Sequence, residues 1–403
     1  MDERRQKLNL EPPVELRSSP DEIWETLKVP YGCTDAPRAW YFTFAKWLCD
    51  QGGHALPNDM CIYTFHEHGV LVGQLIVHVD DGILAWTPEF LAKMSTKLKN
   101  RWDIKEFKKN EFTFCGLDVR KVGDELIVSQ SRYADQVEPI AVWRLRLSQL
   151  TERLTSGEIR QVQSVAGAAN CLATQTRPDI AFEVSALVGQ LSHDGTMQCL
   201  KAANKLVRRI KSYRHLCLLF RKLPNTTMYA LHIKAFCDGS WANMPGLRSQ
   251  TEQLYTIAGT SDTEEMFEAD VCHWRSQRIK RVCRSTLHAE TLSATDTCDQ
   301  AIFLGDMLRT WINGARTDAP QKRIDVLTDC HSLVDSMSQV VPTSTEKRLR
   351  LDLLAIKESV DSGVINILRW VDTRLQLGDS LTKAASDEVR QTFIHALQSG
   401  RFS

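Results

Sequence analysis

Apolar and small residues alternate with larger ones over Leu231–Trp241, and this pattern predicts a strand that carries Asp238 to its end. Similar strand-like stretches recur later in the chain, and segments with helical periodicity separate the last of these predicted strands. The predicted strands cover 229–237, 251–259, 270–278, 324–329 and 364–371. The order from residue 229 is strand, strand, strand, helix, strand, helix, helix, strand, helix, which is typical of an α/β domain.

The pattern before residue 229 predicts three further segments. Residues 1–30 are polar and interrupted by proline, so they are expected to be poorly structured. Residues 31–135 combine a helix with apolar hairpins, one of them turning at Asp80-Asp81-Gly82. Residues 136–228 are predominantly helical. The chain is therefore expected to be an α+β and α/β multidomain protein, with its last domain at 229–403.

Composition narrows the class of protein. The 403 residues are 43% hydrophobic and 25% charged with zero net charge, which is ordinary globular composition without a global field for nucleic acid. Twelve cysteines include no Cys-x-x-Cys pair, which indicates reduced thiols and no zinc site. No apolar run has membrane-spanning length and no signal peptide is evident, so we expect an intracellular protein, cytoplasmic or nuclear, without a membrane partner. The oligomeric state stays open.

Four acids occupy functionally placed positions in this pattern. Asp238 ends the first predicted strand of the last domain and Asp329 ends the fourth. Glu290 lies in the first helix and Asp379 opens the last one. Any one of them is more often a solvated surface residue or a helix cap. Together they predict a site for two Mg²⁺ or Mn²⁺ ions about 4 Å apart over a phosphodiester, with the acids as catalytic metal ligands.

Asp80 and Asp81 form a second candidate. An Asp-Gly sequence between apolar strands is above all a hairpin signal, and from the dipeptide alone this interpretation is favoured. The alternative is a pair of catalytic carboxylates that present metal ions to a primer hydroxyl and a triphosphate.

Two basic stretches are candidates for nucleic-acid contact. The first holds five cations with no acid among them, just before Glu290: Arg275, Arg278, Lys280, Arg281 and Arg284. The second lies in 200–220 and includes Arg208 and Arg209. A solvated helical face explains the second stretch equally well.

Three motifs in the first half resemble, in order, the polymerase of copia-type LTR retrotransposons. They are Val29-Pro-Tyr-Gly-Cys-Thr-Asp-Ala-Pro-Arg-Ala-Trp40, Val79-Asp80-Asp81 and Phe114-Cys-Gly-Leu-Asp118; Thr176-Arg-Pro-Asp-Ile-Ala-Phe-Glu-Val-Ser185 matches a fourth family block. The resemblance implies a reverse-transcriptase palm and fingers. His78 replaces the family's tyrosine, and nothing before Val29 resembles the strand that carries the first catalytic aspartate. The resemblance therefore implies a palm truncated at its N-terminus, with polymerase activity lost.

The last domain resembles the ribonuclease H of the same elements, a mixed five-stranded sheet with helices on its faces. Cys237-Asp-Gly-Ser-Trp-Ala242 corresponds to Asp-Ala-Asp-Trp-Ala, and Leu377-Gly-Asp-Ser-Leu-Thr-Lys383 corresponds to Ala-Asp-x-Leu-Thr-Lys. Integrases and transposases order their acids Asp, Asp, Glu, whereas this chain has Asp, Glu, Asp, Asp. The resemblance implies metal-dependent cleavage of RNA in RNA–DNA hybrids, with Asp238 bridging two ions.

Two alternatives remain open from the sequence. The chain is either an active fragment or a degenerate, domesticated nucleic-acid-binding protein without catalysis, as the departures at His78 and His288 would allow. A third interpretation is that the natural product is a longer polyprotein, which transcript sequence upstream of Met1 would reveal.

Overall fold

The computed structural model describes residues 9–25, 32–223, 226–259, 267–314, 319–341, 344, 346–382 and 387–402. The chain divides into two compact units. The first comprises Met1–Asp103 with Asn313–Arg316, and the second comprises Ile104–Ile312 with Thr317–Ser403. Among the described residues, no helix has both the length and the apolar character needed to cross a bilayer.

The first unit is built on a four-stranded antiparallel sheet. Its elements are β1 (Asn9–Leu10), β2 (Trp24–Glu25), α1 (Ala36–Asp50), β3 (Gly53–Leu56), β4 (Asp59–Glu67), β5 (Val70–His78), β6 (Asp81–Trp86) and α2 (Pro88–Arg101). Strands β3 to β6 pair in sequence order, and β1 pairs separately with β2. Thr87 caps α2 by accepting a hydrogen bond from the Phe90 amide, and the Phe90 ring packs 4.8 Å from Phe65. Part of the motif at 29–40 and part of the segment 1–30 lie outside the described residues.

The second unit begins with a small sheet and a group of helices. Its first elements are β7 (Glu111–Phe114), β8 (Leu117–Val122), β9 (Glu125–Ser129), α3 (Ser131–Gln136), α4 (Arg144–Leu147), α5 (Ser156–Gln175), α6 (Ala181–His193), α7 (Met197–Ser212) and β10 (Leu218–Phe220). The sheet order is β10-β9-β8-β7, so a strand after the helices closes the sheet that precedes them. This pairing joins residues on both sides of the predicted boundary at 135 within one compact unit.

A larger mixed sheet follows in the same unit. Its elements are β11 (His232–Met244), β12 (Arg248–Ala258), β13 (Phe267–Arg278), α8 (Thr286–Asn313), β14 (Ile324–Thr328), α9 (His331–Ser338), α10 (Lys347–Asp361), β15 (Ile367–Trp370), α11 (Asp379–Thr382), α12 (Asp387–Ser399) and β16 (Arg401–Phe402). The strand order is β15-β14-β11-β12-β13-β16, with β14 parallel to both of its neighbours and the other pairs antiparallel. The predicted mixed five-stranded sheet is confirmed, and β16 adds a two-residue edge strand to it.

Helices cover both faces of this mixed sheet. Ala235 and Cys237 pack toward α8 and α10, whereas Phe236 and Leu254 share a core with α5, α6 and α7. This division follows from strand geometry, because successive side chains point to opposite faces. The indole of Trp274 donates a hydrogen bond of 2.6 Å to the Ala173 carbonyl at the end of α5. The helices of 136–228 and the mixed sheet therefore form one packed body.

Candidate carboxylate site

Two parallel strands bring the first and third predicted acids to one edge of the mixed sheet. Phe236 on β11 is in register with Leu327 on β14, so Asp238 lies level with Asp329. The prediction that Asp238 ends its strand was wrong, because β11 continues to Met244; only Asp329 follows the end of its strand. The indole of Trp370 donates to the Asp329 carbonyl over 3.1 Å, which fixes the backbone just beyond β14. Neighbouring parallel strands lie about 4.8 Å apart, so this register brings the two aspartates together.

Close packing of α8 against β11 adds Glu290 to this edge. A Cβ on Gly239 would lie 2.5 Å from the Ala289 carbonyl carbon, so only glycine allows this approach. The Gly239 amide donates to Glu290 Oε2 over 3.0 Å and orients the carboxylate. Ser293, one turn further along α8, donates to the Asp238 carbonyl over 2.8 Å. The helix is thus held to the strand on both sides of the acid.

The three carboxylates meet. One oxygen each from Asp238, Glu290 and Asp329 lie within 4.8 Å of one another. Asp238 and Glu290 are each 6% exposed, and Asp329 is half-buried. Like charges gathered this closely repel strongly unless a cation or protons compensate them. A set of carboxylate oxygens is the donor chemistry that hard divalent cations prefer.

Asp379 lies outside this group of three. It opens α11, as predicted for a residue at the start of a helix, and it is 9% exposed. The short segment before it is held to β11 by Gln376, whose amide donates to the Cys237 carbonyl over 2.9 Å. Asp379 therefore approaches the site from the face of the sheet opposite to α8, the face that also carries Phe236 and Asp238.

The sequence analysis missed a fifth acid. Glu252 on β12 lies directly opposite Asp238 and is fully buried. Among the described residues, neither of its carboxylate oxygens has a hydrogen-bond partner. Burial, and then the negative charges of Asp238 and Asp379, raise the pKa of Glu252 well above its usual range. The signal in the sequence was a glutamate inside a predicted strand of the central sheet, where charged residues are rare.

The basic residues 275–284 flank two grooves of the second unit. Arg275 and Arg278 line a groove of about 570 Å³ beside α6, and both also line one of about 650 Å³ beside α8. Lys280 is exposed, while Arg281 donates to Asp352 over 3.0 Å and Arg284 lies 3.8 Å from Glu346. All five cations are thus at the surface, and two of them already have an acidic neighbour.

The second basic stretch is divided by its helix. Arg208 is exposed on α7, whereas the Arg209 side chain is 12% exposed. Arg209 forms an ion pair with Glu183 and donates to the Asp179 carbonyl over 2.6 Å. Asp179 also accepts two bonds, of 2.7 and 2.8 Å, from the buried Arg177. Arg209 serves this internal network, and we do not carry it into the proposed nucleic-acid surface.

Asp80 and Asp81 are described within the first unit. They are exposed at the β5–β6 hairpin, where His78 is paired with Asp81 and the turn is made by Val79 and Asp80. Val79 has a φ of 51°, which is strained for a β-branched residue, and its carbonyl accepts a 3.0 Å bond from Trp40. Across the described residues, the only grouping of three potential metal ligands is the one at Asp238, so no third acid joins this pair.

Comparison with known proteins identifies relatives but no matching family model. The chain is 25% identical over 391 residues to the retrovirus-related Pol polyprotein from transposon RE1 of Arabidopsis thaliana, covering 94% of this chain and 25% of the relative. It is 24% identical over 376 residues to the corresponding polyprotein from transposon TNT 1-94 of Nicotiana tabacum, covering 88% of this chain and 26% of that protein. The chain thus spans about a quarter of the length of these curated relatives.

A solved structure supports the same assignment at the level of fold. The foamy viral protease-reverse transcriptase in complex with RNA/DNA hybrid matches with a TM-score of 0.50 and 12% identity, over 91% of this chain and 41% of that chain. The resemblance inferred from the motifs is confirmed by the sequence relatives, and the chain shares the fold of this protease-reverse transcriptase. In sequence, the chain is similar to the retrovirus-related Pol polyproteins of transposons.

Proposed function

We propose that the site at Asp238 hydrolyses the RNA strand of RNA–DNA hybrids in a reaction that depends on divalent metal. The observation that carries this proposal is the convergence of Asp238, Glu290 and Asp329 within 4.8 Å at one edge of the mixed sheet. The relatives are Pol polyproteins, and the foamy viral enzyme of the same fold was solved with an RNA/DNA hybrid.

The donor set fits Mg²⁺ or Mn²⁺. One oxygen from each of Asp238, Glu290 and Asp329 lies within 4.8 Å of the others, and a divalent cation would compensate the repulsion between these charges. Bound metal would supply an activated water and charge stabilisation at the phosphate. Asp238, Glu290 and Asp329 would hold the metal, and Asp379 would support the side from which water attacks.

The chain's other residues would position the substrate. Five cations would contact phosphates, and Arg208 would add an outlying contact. The five are Arg275, Arg278, Lys280, Arg281 and Arg284. The last two would exchange their acidic neighbours for phosphate. These contacts would hold the hybrid beside α8, whose Glu290 faces the reacting phosphate. Selection of RNA over DNA would come from contacts to the 2′-hydroxyl and from the shape of the hybrid groove.

We further propose that this chain alone does not polymerise DNA. Polymerases of the resembled family hold their metal pair with three aspartates, and the described residues join no third acid to Asp80 and Asp81. The strained turn at Val79 remains suited to presenting both carboxylates, as a longer polyprotein would require. Primer extension by the full chain beside an Asp80→Asn/Asp81→Asn variant tests this proposal, since extension that the variant lacks would contradict it.

The deciding experiment is hydrolysis of an end-labelled RNA–DNA hybrid by the full chain with Mg²⁺ or Mn²⁺. The full chain is needed because the mixed sheet shares its core with the helices of 136–228. We expect cleavage that Asp238→Asn abolishes and that Asp335→Asn, an exposed acid on α9, leaves unchanged. No cleavage by folded protein that still binds the hybrid would favour the alternative, a nucleic-acid-binding protein without catalysis.

A further inference from the structure

Glu252 is a buried acid to which the proposed reaction assigns no role. It is fully buried on a central strand, and neither oxygen has a hydrogen-bond partner within the described part of the chain. We propose that Glu252 is a fifth carboxylate of the metal site, which supports a divalent cation from beside Asp238 and Asp379, outside the three oxygens that lie within 4.8 Å of one another. This inference rests on the metal-binding part of the proposed function.

The sheet register aims Glu252 at the site. Directly opposed residues of antiparallel strands project on the same face, with Cβ atoms about 5 Å apart. Glu252 is opposed to Asp238 in this way, and on its other side it is opposed to Ser276 of β13. The carboxylate therefore lies on the face that Asp379 approaches, and not on the face covered by α8.

Close packing locates the carboxylate more finely. A Cβ on Gly378 would lie 1.7 Å from Glu252 Oε2 and 2.3 Å from Oε1, so the carboxylate contacts the backbone of the residue just before Asp379. Glu252 is thus directly opposed to Asp238 and contacts the residue that precedes Asp379.

The surroundings favour a cation as the missing partner. Buried polar atoms almost always have a partner, and leaving both oxygens of a carboxylate unpaired is costly. The carboxylates of Asp238 and Asp379 offer no donor when ionised, and Gly378 has no side chain. The hydroxyl of Ser276, which is opposed to Glu252, already donates to the Leu381 carbonyl over 2.5 Å. A hard divalent cation binds several carboxylate oxygens at once and satisfies them together.

The residue at 378 agrees with this arrangement. The resembled ribonuclease H motif has alanine where this chain has Gly378. The alanine Cβ would overlap the Glu252 carboxylate, so the glycine leaves the space that this carboxylate fills. Gly378 thus departs from the resembled motif at the point where the Glu252 carboxylate needs the space, beside the proposed metal ligands.

The test is Mn²⁺ binding to the full chain without nucleic acid. Binding is measured by calorimetry and by the electron paramagnetic resonance signal of free Mn²⁺. We expect Glu252→Gln, which keeps the shape of the side chain, to weaken at least one Mn²⁺ site about tenfold or more, or to remove it. The matched control is Glu358→Gln, an exposed acid on α10, which should bind as the wild type does. The rise in Tm that Mn²⁺ produces should shrink in the Glu252 variant alone.

The outcomes are distinguishable. Wild-type affinity and stoichiometry in a folded Glu252→Gln protein would overturn the inference and identify Glu252 as a buried neutral acid. If that variant does not fold, Glu252→Ser replaces it and the same comparison decides. No Mn²⁺ binding by the wild type would overturn the proposed function together with the inference, whereas loss confined to the Glu252 variants supports both.

Discussion

The contact between Gly378 and Glu252 allows a quantitative prediction. Replacing Gly378 by alanine adds a single carbon, which would lie 1.7 Å from Oε2 and 2.2 Å from Cδ of Glu252. An ordinary contact between such atoms is about 3.4 Å, so the groups must separate by more than about 1 Å. Gly378 does not have a positive φ, so alanine suits its backbone and the cost is one of packing.

We expect Gly378→Ala to lower the free energy of unfolding by about 1–3 kcal/mol, the usual cost of an overpacked core. A flexible side chain would ordinarily move aside, but Glu252 is fully buried and its carboxylate cannot swing into solvent. Urea-induced unfolding followed by circular dichroism measures the change. The control is Gly167→Ala on an exposed face of α5, where no atom lies within 4 Å and alanine should stabilise by up to about 1 kcal/mol.

A double-mutant cycle isolates the contact. In a Glu252→Ser background the obstructing carboxylate is gone, so Gly378→Ala should cost less than about 0.5 kcal/mol there. The coupling energy between the two positions should then be about 1–3 kcal/mol. Equal losses in both backgrounds would refute the reasoning, because the cost would not come from Glu252.

Two further predictions concern charge. Replacing both Arg275 and Arg278 by glutamine should weaken hybrid binding and lower the slope of log K against log salt by about one to two, because two phosphate contacts are lost. The control Arg160→Gln, on an exposed face of α5, should leave the slope unchanged. Fluorescence anisotropy measures the slope, and an unchanged slope in the double variant would contradict the proposed surface. Glu158 caps α5 and pairs with Arg146, which holds its pKa at about 2, below the value of about 4.3 in an unfolded chain. A lowered pKa contributes stability that is present above about pH 4.3 and is lost as the pH falls toward 2. In urea unfolding, Glu158→Gln should therefore lower the free energy of unfolding by about 1 kcal/mol at pH 7, after solvent screening, and by progressively less below pH 4. A loss of stability that does not depend on pH would argue against the ion pair.

Local pattern was sufficient for much of the fold. Alternation predicted β11, β12, β13, β14 and β15, because strands buried on one or both faces need side chains of matching character. The sequence also placed Asp329 correctly at the end of β14, but it ended the strand of Asp238 at 237, whereas β11 continues to Met244. Glu290 was harder to place by pattern alone, since its approach depends on Gly239, where the missing Cβ admits α8.

The domain boundaries were less accessible to the sequence. Composition separates a helical stretch at 136–228 from the strands of the mixed sheet, but Trp274 and Leu254 pack into the same core as α5 and α7. Likewise, β10 returns to pair with β9 across about 90 intervening residues. Such contacts depend on residues far apart in the chain, which local periodicity does not report.

Two charged residues show the same limit at the level of single side chains. Arg208 and Arg209 are adjacent and equivalent in sequence pattern, yet helical geometry turns one to solvent and the other toward Glu183 and Asp179. Residues one apart on a helix point about 100° away from each other. Only the packing of α7 decides which of the two is available to a ligand.

By itself, the sequence determined the similarity to transposon Pol polyproteins, the strands of the mixed sheet and the four candidate acids, because motifs and alternation are local properties. The tertiary structure decided which acids meet. A slip of one residue between β11 and β12 would have turned Glu252 to the opposite face, and only the packing of the segment before α11 brings Gly378 against its carboxylate. The register and the close approach are set by the whole core, and they place Glu252 opposite Asp238 and against Gly378.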